Sequence, residues 1–380
     1  MPNTIPLPTP KKNGSPTLKN TGTQMKALVY HGAGKKAWEE KPKPILLEPS
    51  DAIIKITKTT ICGTDLHILK GDVPEVTDGR ILGHEGVGVV EEIGSAVTEF
   101  KKGDRVLISC ITSCGKCEYC KKGMYSHCEK GGWILGHLID GTQAEYIRIP
   151  FADNSLYHIP KDADEEALVM LSDILPTAYE CGVLNGQIKP GDTVVIVGAG
   201  PIGLAVLITA QFYTPAVIIM VDVDDNRLGV AKTFGATHVI NSNNENSLKK
   251  IMQLTENRGV DVAVEAVGIP ATFELCQSVI TAGGHIANVG VHGKSVGLHL
   301  ETLWSKNITI TTRLVDTVST PLLLKTVVSK KVDPSKLITH HFALADIISA
   351  YESFSNAAKE KTLKVILTNE KSIKACNHER

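Results

Sequence analysis

Four cysteines fall within fifteen residues, at Cys114, Cys117, Cys120 and Cys128, with the spacing C-x2-C-x2-C-x7-C. Four thiolates at such spacing suit a closed tetrahedral Zn²⁺ site. With every position filled by protein, that metal has no room for water or substrate, so it can hold a loop but cannot do chemistry. Lys116, Lys121 and Lys122 partly offset the charge of four thiolates. Iron–sulfur ligation also uses compact cysteine runs, but here the fourth cysteine stands apart and no Cys-Pro follows. A redox pair fits the pattern less well still. Chemistry must lie elsewhere.

One candidate is the pair of segments Cys62-Gly-Thr64-Asp-Leu-His67 and Gly83-His84-Glu85. A catalytic zinc needs about three protein ligands and one open position. Taken alone, Cys62 and His84 fit equally a buried thiol and a satisfied core histidine. Another candidate is the run Gly198-Ala-Gly200-Pro201-Ile202-Gly203, which follows the apolar TVVIV and opens the helical IGLAVLITA. In that context the glycines permit a tight turn and close approach of a pyrophosphate, and the helix start offers free N–H groups. Asp222 ends the next apolar run, VIIMVD. A carboxylate there accepts hydrogen bonds from a ribose diol and repels a 2′-phosphate, which favours NAD over NADP. Asp224 and Asp225 fall past the strand end and are expected to begin the next helix. Without the surrounding β-α-β pattern, this run would be only a glycine-rich turn beside a surface acid.

The elements that must position these residues change texture along the 380 residues, a length that suits two domains. Residues 25–110 alternate short β-like runs with glycine turns, as in a barrel-like β domain. The cysteine lobe spans 110–135, and strand-like text returns in AEYIRIP. The stretch DEEALVMLSDILPTAYECGV has helical spacing with acids at its start. Beyond Gly191, continuous apolar runs alternate with helical patterns, which implies a parallel doubly wound sheet. The final KTLKVILTN reads as a strand.

A net charge of −1 leaves no basic footprint for nucleic acid, and no apolar run is long enough to span a membrane. Residues 1–24 lack a secretory h-region and read as a disordered extension. Nine cysteines used this way suit a reducing, cytoplasmic setting.

The chain resembles the zinc-dependent medium-chain alcohol dehydrogenases. Their pattern G-H-E-x2-G-x5-G-x2-V is matched by Gly83, His84, Glu85, Gly88, Gly94 and Val97. CGTDLH, GDRV, the cysteine lobe and GAGPIG follow in the family's order, and the likeness runs from about residue 25 to 369. It implies an α/β plus β fold, with a GroES-like catalytic domain split around a Rossmann domain. The catalytic domain would take 25–173 and 317–369, the NAD-binding domain 174–316, with a tail at 370–380. By position, Cys62, His84 and Asp173 look like the catalytic zinc ligands. Glu85 looks like a carboxylate able to approach the metal. The four-cysteine lobe would hold a structural zinc, making two per chain. The Asp ligand, the intact lobe and the NAD-type acid together look most like the formaldehyde-dehydrogenase-like and secondary-alcohol branch, without the insertion of the dismutating enzymes.

The same resemblance implies hydride transfer between a primary or secondary alcohol and NAD. Thr64 would hold the alcohol proton and His67 would pass it to solvent, a role suited to a side chain that ordinarily titrates near neutrality. Polyol, butanediol, threonine or formaldehyde dehydrogenation would use the same scaffold. Cys110 stands where relatives often place a large aromatic, so a roomier substrate pocket and a plain buried thiol are both open. Cys181, Cys276 and Cys376 read as structural or incidental. The family's dimers and tetramers lead to the expectation of a homo-oligomer, with a tetramer favoured.

Overall fold

A computed structural model describes residues 22–371 of the chain. The expectations for the rest of the N-terminal extension and C-terminal tail, and for Cys376, lie outside the described residues.

The strand expected near Met25 runs Gln24–Tyr30 and pairs antiparallel with Lys36–Pro42 and Arg80–Ile81. A larger sheet has the order Ile338–Ala343, Lys364–Thr368, Ala52–Thr60, Gly86–Ile93, Arg105–Ile108, Leu156–His158, and Tyr146–Ile149 also pairs with Ala52–Thr60. Ala52–Thr60 is buried along most of its length, and Ile54 and Ile56 share one apolar cluster with Val90, Phe100 and Ile108. The late strand Lys364–Thr368 docks antiparallel on the early one, with Ile366 opposite Thr60. Residues some three hundred positions apart thus meet beside Cys62.

The second sheet is six-stranded and wholly parallel, in the order His238–Asn241, Val217–Asp222, Thr193–Val197, Val260–Glu265, Ile280–Asn288, Thr309–Thr312. This is a dinucleotide-fold order, and ligands bind such sheets at the carboxyl ends of the strands where the order reverses. The reversal falls at Thr193–Val197, immediately before Gly198.

The stretch with helical spacing over 164–183 forms three helical pieces: Glu165–Val169, Ile174–Thr177 and a wider π-helical Ala178–Leu184. The break has a cause in contacts. The Ser172 hydroxyl accepts from the Gly86 amide at 3.0 Å and donates to its carbonyl at 3.2 Å. Pinning Ser172 to that strand overrides the local helical pattern and turns Asp173 (φ −143°, ψ −61°) toward the interior. Leu168, Leu171 and Leu175 join Leu107 on one side and Val194 and Leu204 on the other in a single core, so one apolar cluster spans the two sheets.

Candidate active site and metal centres

Cys62 sits at the junction of strand and helix. It caps the helix Gly63–Lys70, and the Asp65 carboxyl returns to accept from the Cys62 amide at 2.9 Å. The same Oδ2 accepts from Gln143 Nε2 at 3.0 Å, and Gln143 Oε1 accepts from Tyr351 OH at 2.8 Å. The buried chain Tyr351–Gln143–Asp65 therefore fixes the cysteine from behind. Its remaining oxygen, Asp65 Oδ1, lies 3.9 Å from His84 Nδ1.

His84 and Glu85 follow Gly83, whose φ is +91°. A methyl group there would stand 2.6 Å from Gln143 Cγ and 2.9 Å from its amide nitrogen. We expect Gly83→Ala to lower stability by about 2–4 kcal/mol, combining left-handed strain with overpacking. Thermal unfolding measures it, and an unchanged melting temperature would contradict it.

Cys62, His84, Glu85 and Asp173 present ligand atoms that all lie within 4.8 Å of one another. Asp173 Oδ2 is 3.3 Å from His84 Nε2 and 3.8 Å from Cys62 Sγ. Its Oδ1 accepts from Thr177 Oγ1 at 2.5 Å and faces Cys110 Sγ at 3.6 Å. Thiol, imidazole and carboxyl are the donor set of zinc. Glu85 pairs through Oε2 with the buried ammonium of Lys364 at 2.6 Å, while its Oε1 is buried without a partner. A buried acceptor left in that state fits a place beside a cation.

Electrostatics agree with that donor set. Burial opposes a charged imidazole, but the Asp173 and Cys62 contacts raise His84 well above its ordinary value. Burial opposes a charged Asp173 too, yet His84 holds it down at about 2. A metal would displace the His84 proton, since a ligating imidazole is neutral. Burial raises Glu85 even against the Lys364 charge. Burial, then the nearby carboxyls of Asp173 and Glu85, push the Cys110 thiol well up, so it stays neutral.

A cleft of about 590 Å³ runs from this cluster to the glycine-rich turn. Thr64 and His67 lie on its wall; Thr64 Oγ1 is 3.8 Å from Cys62 Sγ, and His67 Nδ1 meets Asp72 Oδ2 at 2.9 Å near the surface. Cys110 is both buried and cleft-lining. Trp133, on the same lining, stacks on His137 at 4.3 Å and meets the His84 ring edge-on at 6.5 Å. Cys181 and Cys276 are buried away from any partner pattern, and burial pushes Cys181 up to about 12.

At the other end, Gly203 is forced by packing, because a methyl there would meet the Gly198 carbonyl oxygen at 1.8 Å. Above Gly200 the space is open except for Arg227 Nη1 at 4.0 Å. Gly200, Pro201 and Ile202 line the cleft at the start of the helix Pro201–Ala210. An open cradle, a helix start and a guanidinium fit a pyrophosphate. Asp222 Oδ2 accepts from Ala199 N at 2.6 Å, and Oδ1 accepts from Val223 and Asp224 N, fixing the carboxyl at the strand end. Asp224 caps the next helix, and Asp225 is its first residue.

Among the described residues, the four lobe cysteines form a second cluster of ligand atoms. Cys117 and Cys120 sulfurs are 3.4 Å apart, and Cys114 and Cys120 sulfurs 4.0 Å. A tetrahedron with Zn–S of about 2.3 Å has edges of about 3.8 Å, which these distances bracket. Amide hydrogen bonds to Cys117 hold its thiol down at about 6, whereas burial and neighbouring sulfurs push Cys120 up to about 12. We expect Cys120→Ser to lose one zinc and about 3 kcal/mol or more of stability, while kcat of the folded protein stays within about tenfold. Metal analysis, unfolding and kinetics on one preparation check this; loss of turnover with stability intact would contradict it.

Sequence reasoning missed Lys364, Thr177, Arg227, Trp133 and the Asp65–Gln143–Tyr351 chain. Lys364 had one signal, a lone cation within the otherwise apolar LKVIL.

Comparison with known proteins bears on the family. Residues 48–161 match the alcohol dehydrogenase GroES-like domain, and residues 201–327 match the zinc-binding dehydrogenase domain. The chain is 35% identical to an alcohol dehydrogenase of Cupriavidus necator, over 90% of this chain and 98% of that protein. It is also 35% identical to the NADP-dependent isopropanol dehydrogenase of Thermoanaerobacter brockii, over 84% of this chain and 92% of that one. Among solved structures, it is similar to the apo form of zinc dependent alcohol dehydrogenase 2 from Streptococcus pneumonia, with TM-score 0.87, 58% identity, and 91% and 98% of the two chains covered.

Proposed function

The chain belongs to the zinc-dependent medium-chain alcohol dehydrogenases, and from that premise we propose that it transfers hydride reversibly between a primary or secondary alcohol and NAD, giving aldehyde or ketone. One observation carries the reading: Cys62, His84 and Asp173 converge at one end of a cleft whose other end is the Gly198–Gly203 turn.

Cys62, His84 and Asp173 would hold the catalytic zinc and leave a position open, with Glu85 near enough to approach it. When bound, zinc supplies a Lewis acid that eases deprotonation of an alcohol, and NAD supplies the hydride acceptor. The remaining work falls to the chain. Thr64 Oγ1 holds the alcohol proton at the inner wall. His67, held by Asp72, moves a proton between the cleft and solvent. Neutral Cys110 and the indole of Trp133 bound the alcohol and exclude water. Gly198, Gly200, Pro201, Ile202 and Gly203 receive the pyrophosphate, and Asp222 the adenosine ribose. Cys114, Cys117, Cys120 and Cys128 hold a second, structural zinc.

We also infer a homo-oligomer, with a tetramer favoured. The parallel sheet ends in the open-edged strand Thr309–Thr312, and nearby Leu300 and Trp304 are 60% and 78% exposed. The thiols suit the cytoplasm.

The test is NADH formation by zinc-replete protein with ethanol, 1-butanol, 2-propanol, 2,3-butanediol, sorbitol, threonine and formaldehyde, each with NAD and NADP. Turnover of simple alcohols with NAD supports the reading. Turnover of polyol, threonine or formaldehyde alone would replace the substrate assignment.

A further inference from the structure

Two loops leave adjacent parallel strands after Glu265 and Asn288, which sit opposite each other in register. Their residues Ala266, Val267, Val289, Gly290 and Val291 line the cleft between the cysteine–histidine cluster and the glycine-rich turn. The loops are pressed together. A methyl on Gly268 would stand 2.2 Å from the Val291 carbonyl oxygen, and one on Gly290 would stand 2.3 Å from the Gly268 nitrogen and 2.4 Å from Glu265 Oε2.

Glu265 lies fully buried beneath this contact. Its Oε1 accepts from the amides of Val267 and Gly268, both at 2.9 Å, and from Thr272 Oγ1 at 2.6 Å. Its main-chain oxygen accepts from Val289 and Gly290 amides. The other carboxyl oxygen, Oε2, makes no hydrogen bond and is approached by His292 Nε2 at 3.3 Å. That nitrogen lies 2.8 Å from Asn288 Oδ1, and Asn288 Nδ2 donates to the Gly290 carbonyl at 3.0 Å. The His292 ring also packs edge-on against Phe273 at 5.9 Å. None of these groups is used by the chemistry described above.

We propose that His292 is a positioning residue, a latch whose Nε2–H, donated to Asn288 and directed at Glu265, holds the two loops in register against the nicotinamide half of the dinucleotide. The latch rests on the reading of the cleft as a dinucleotide site. It acts through backbone placement. Val289, Gly290 and Val291 line the cleft, and freeing the ring leaves that segment held to Glu265 only by main-chain bonds. Cofactor binding should therefore weaken, while the alcohol, held at the far end by zinc and Trp133, should be little affected.

The test uses zinc-loaded protein, with NADH affinity read by fluorescence titration and KM measured for NAD and for the alcohol separately. His292→Leu is expected to raise the NADH Kd and the KM for NAD about tenfold, the scale of one buried hydrogen bond lost, with the KM for alcohol within about twofold. His292→Gln, whose amide can donate from a similar place, is expected to recover to within about threefold of wild type. Wild-type NADH affinity in His292→Leu would overturn the proposal. So would equal weakness of the Gln and Leu variants, which would point to ring volume against Phe273. Should His292→Leu fail to fold, Asn288→Leu removes the other side of the bond and must show the same rise. A wild-type protein that binds no NADH would overturn the dinucleotide reading itself, whereas tight wild-type binding with an indifferent His292→Leu would overturn the latch alone.

Discussion

Asp173→Asn lowers kcat/KM for a simple alcohol with NAD by about a thousandfold or more, the scale of a lost Lewis acid, and removes one zinc per chain while the other stays. The expectation follows from where the carboxyl sits. One oxygen faces both His84 Nε2 and Cys62 Sγ, and the other is held by Thr177 and faces Cys110. Among the described residues the other carboxyl of the cluster is Glu85, and Glu85 is tied to Lys364. Asparagine keeps the shape but loses the charge and turns either an N–H₂ toward the other ligands or a donor toward the Thr177 hydroxyl. Stability falls as well, because removing one partner of the buried His84–Asp173 pair leaves the other uncompensated. Metal analysis and steady-state kinetics check this together. Full zinc content with near-normal kcat would sink the ligand assignment.

Asp222→Gly lowers the ratio of kcat/KM for NAD over NADP by about a hundredfold, through loss of the ribose contacts and of the repulsion against a 2′-phosphate. The Asp222 carboxyl cannot swing away in the wild type, because amides of Ala199, Val223 and Asp224 hold both its oxygens. Arg227 remains beside Gly200 in the variant and supplies the positive charge that a third phosphate would seek. The substitution also costs about 1–3 kcal/mol of stability, since Val223 is exposed but Ala199, whose amide is freed with those of Val223 and Asp224, is fully buried. Paired kinetics with both cofactors decide the matter. A wild-type preference for NADP, or a ratio that the substitution leaves unchanged, would contradict it.

What could be read along the chain was what is encoded by short spacing. The cysteine lobe, the GHE segment and the glycine turn between strand and helix are local patterns, and each keeps its meaning because a few backbone steps fix its geometry. Asp222 was legible for the same reason, as the acid ending an apolar run. The parts that escaped depend on partners far off in sequence. Lys364 meets Glu85 across 279 positions, and Tyr351 meets Gln143 across 208. Neither residue carries a local motif, and only the docking of Lys364–Thr368 on Ala52–Thr60 brings the first pair together. The break within the helical stretch has the same origin. The apolar spacing over 164–183 is helical, but the Ser172 hydroxyl, bonded to Gly86 on a neighbouring strand, breaks it where Asp173 must turn inward. Cys110 could be called neither pocket nor core from sequence, and it proves to be buried and cleft-lining at once.

The most direct measurement is NADH formation from a simple alcohol as zinc is stripped from the purified protein and then returned. Turnover is expected to fall to zero as the open site empties, while the four-cysteine lobe keeps its metal, and to recover when zinc is restored. Full turnover after the open site has emptied would contradict a catalytic zinc held by Cys62, His84 and Asp173.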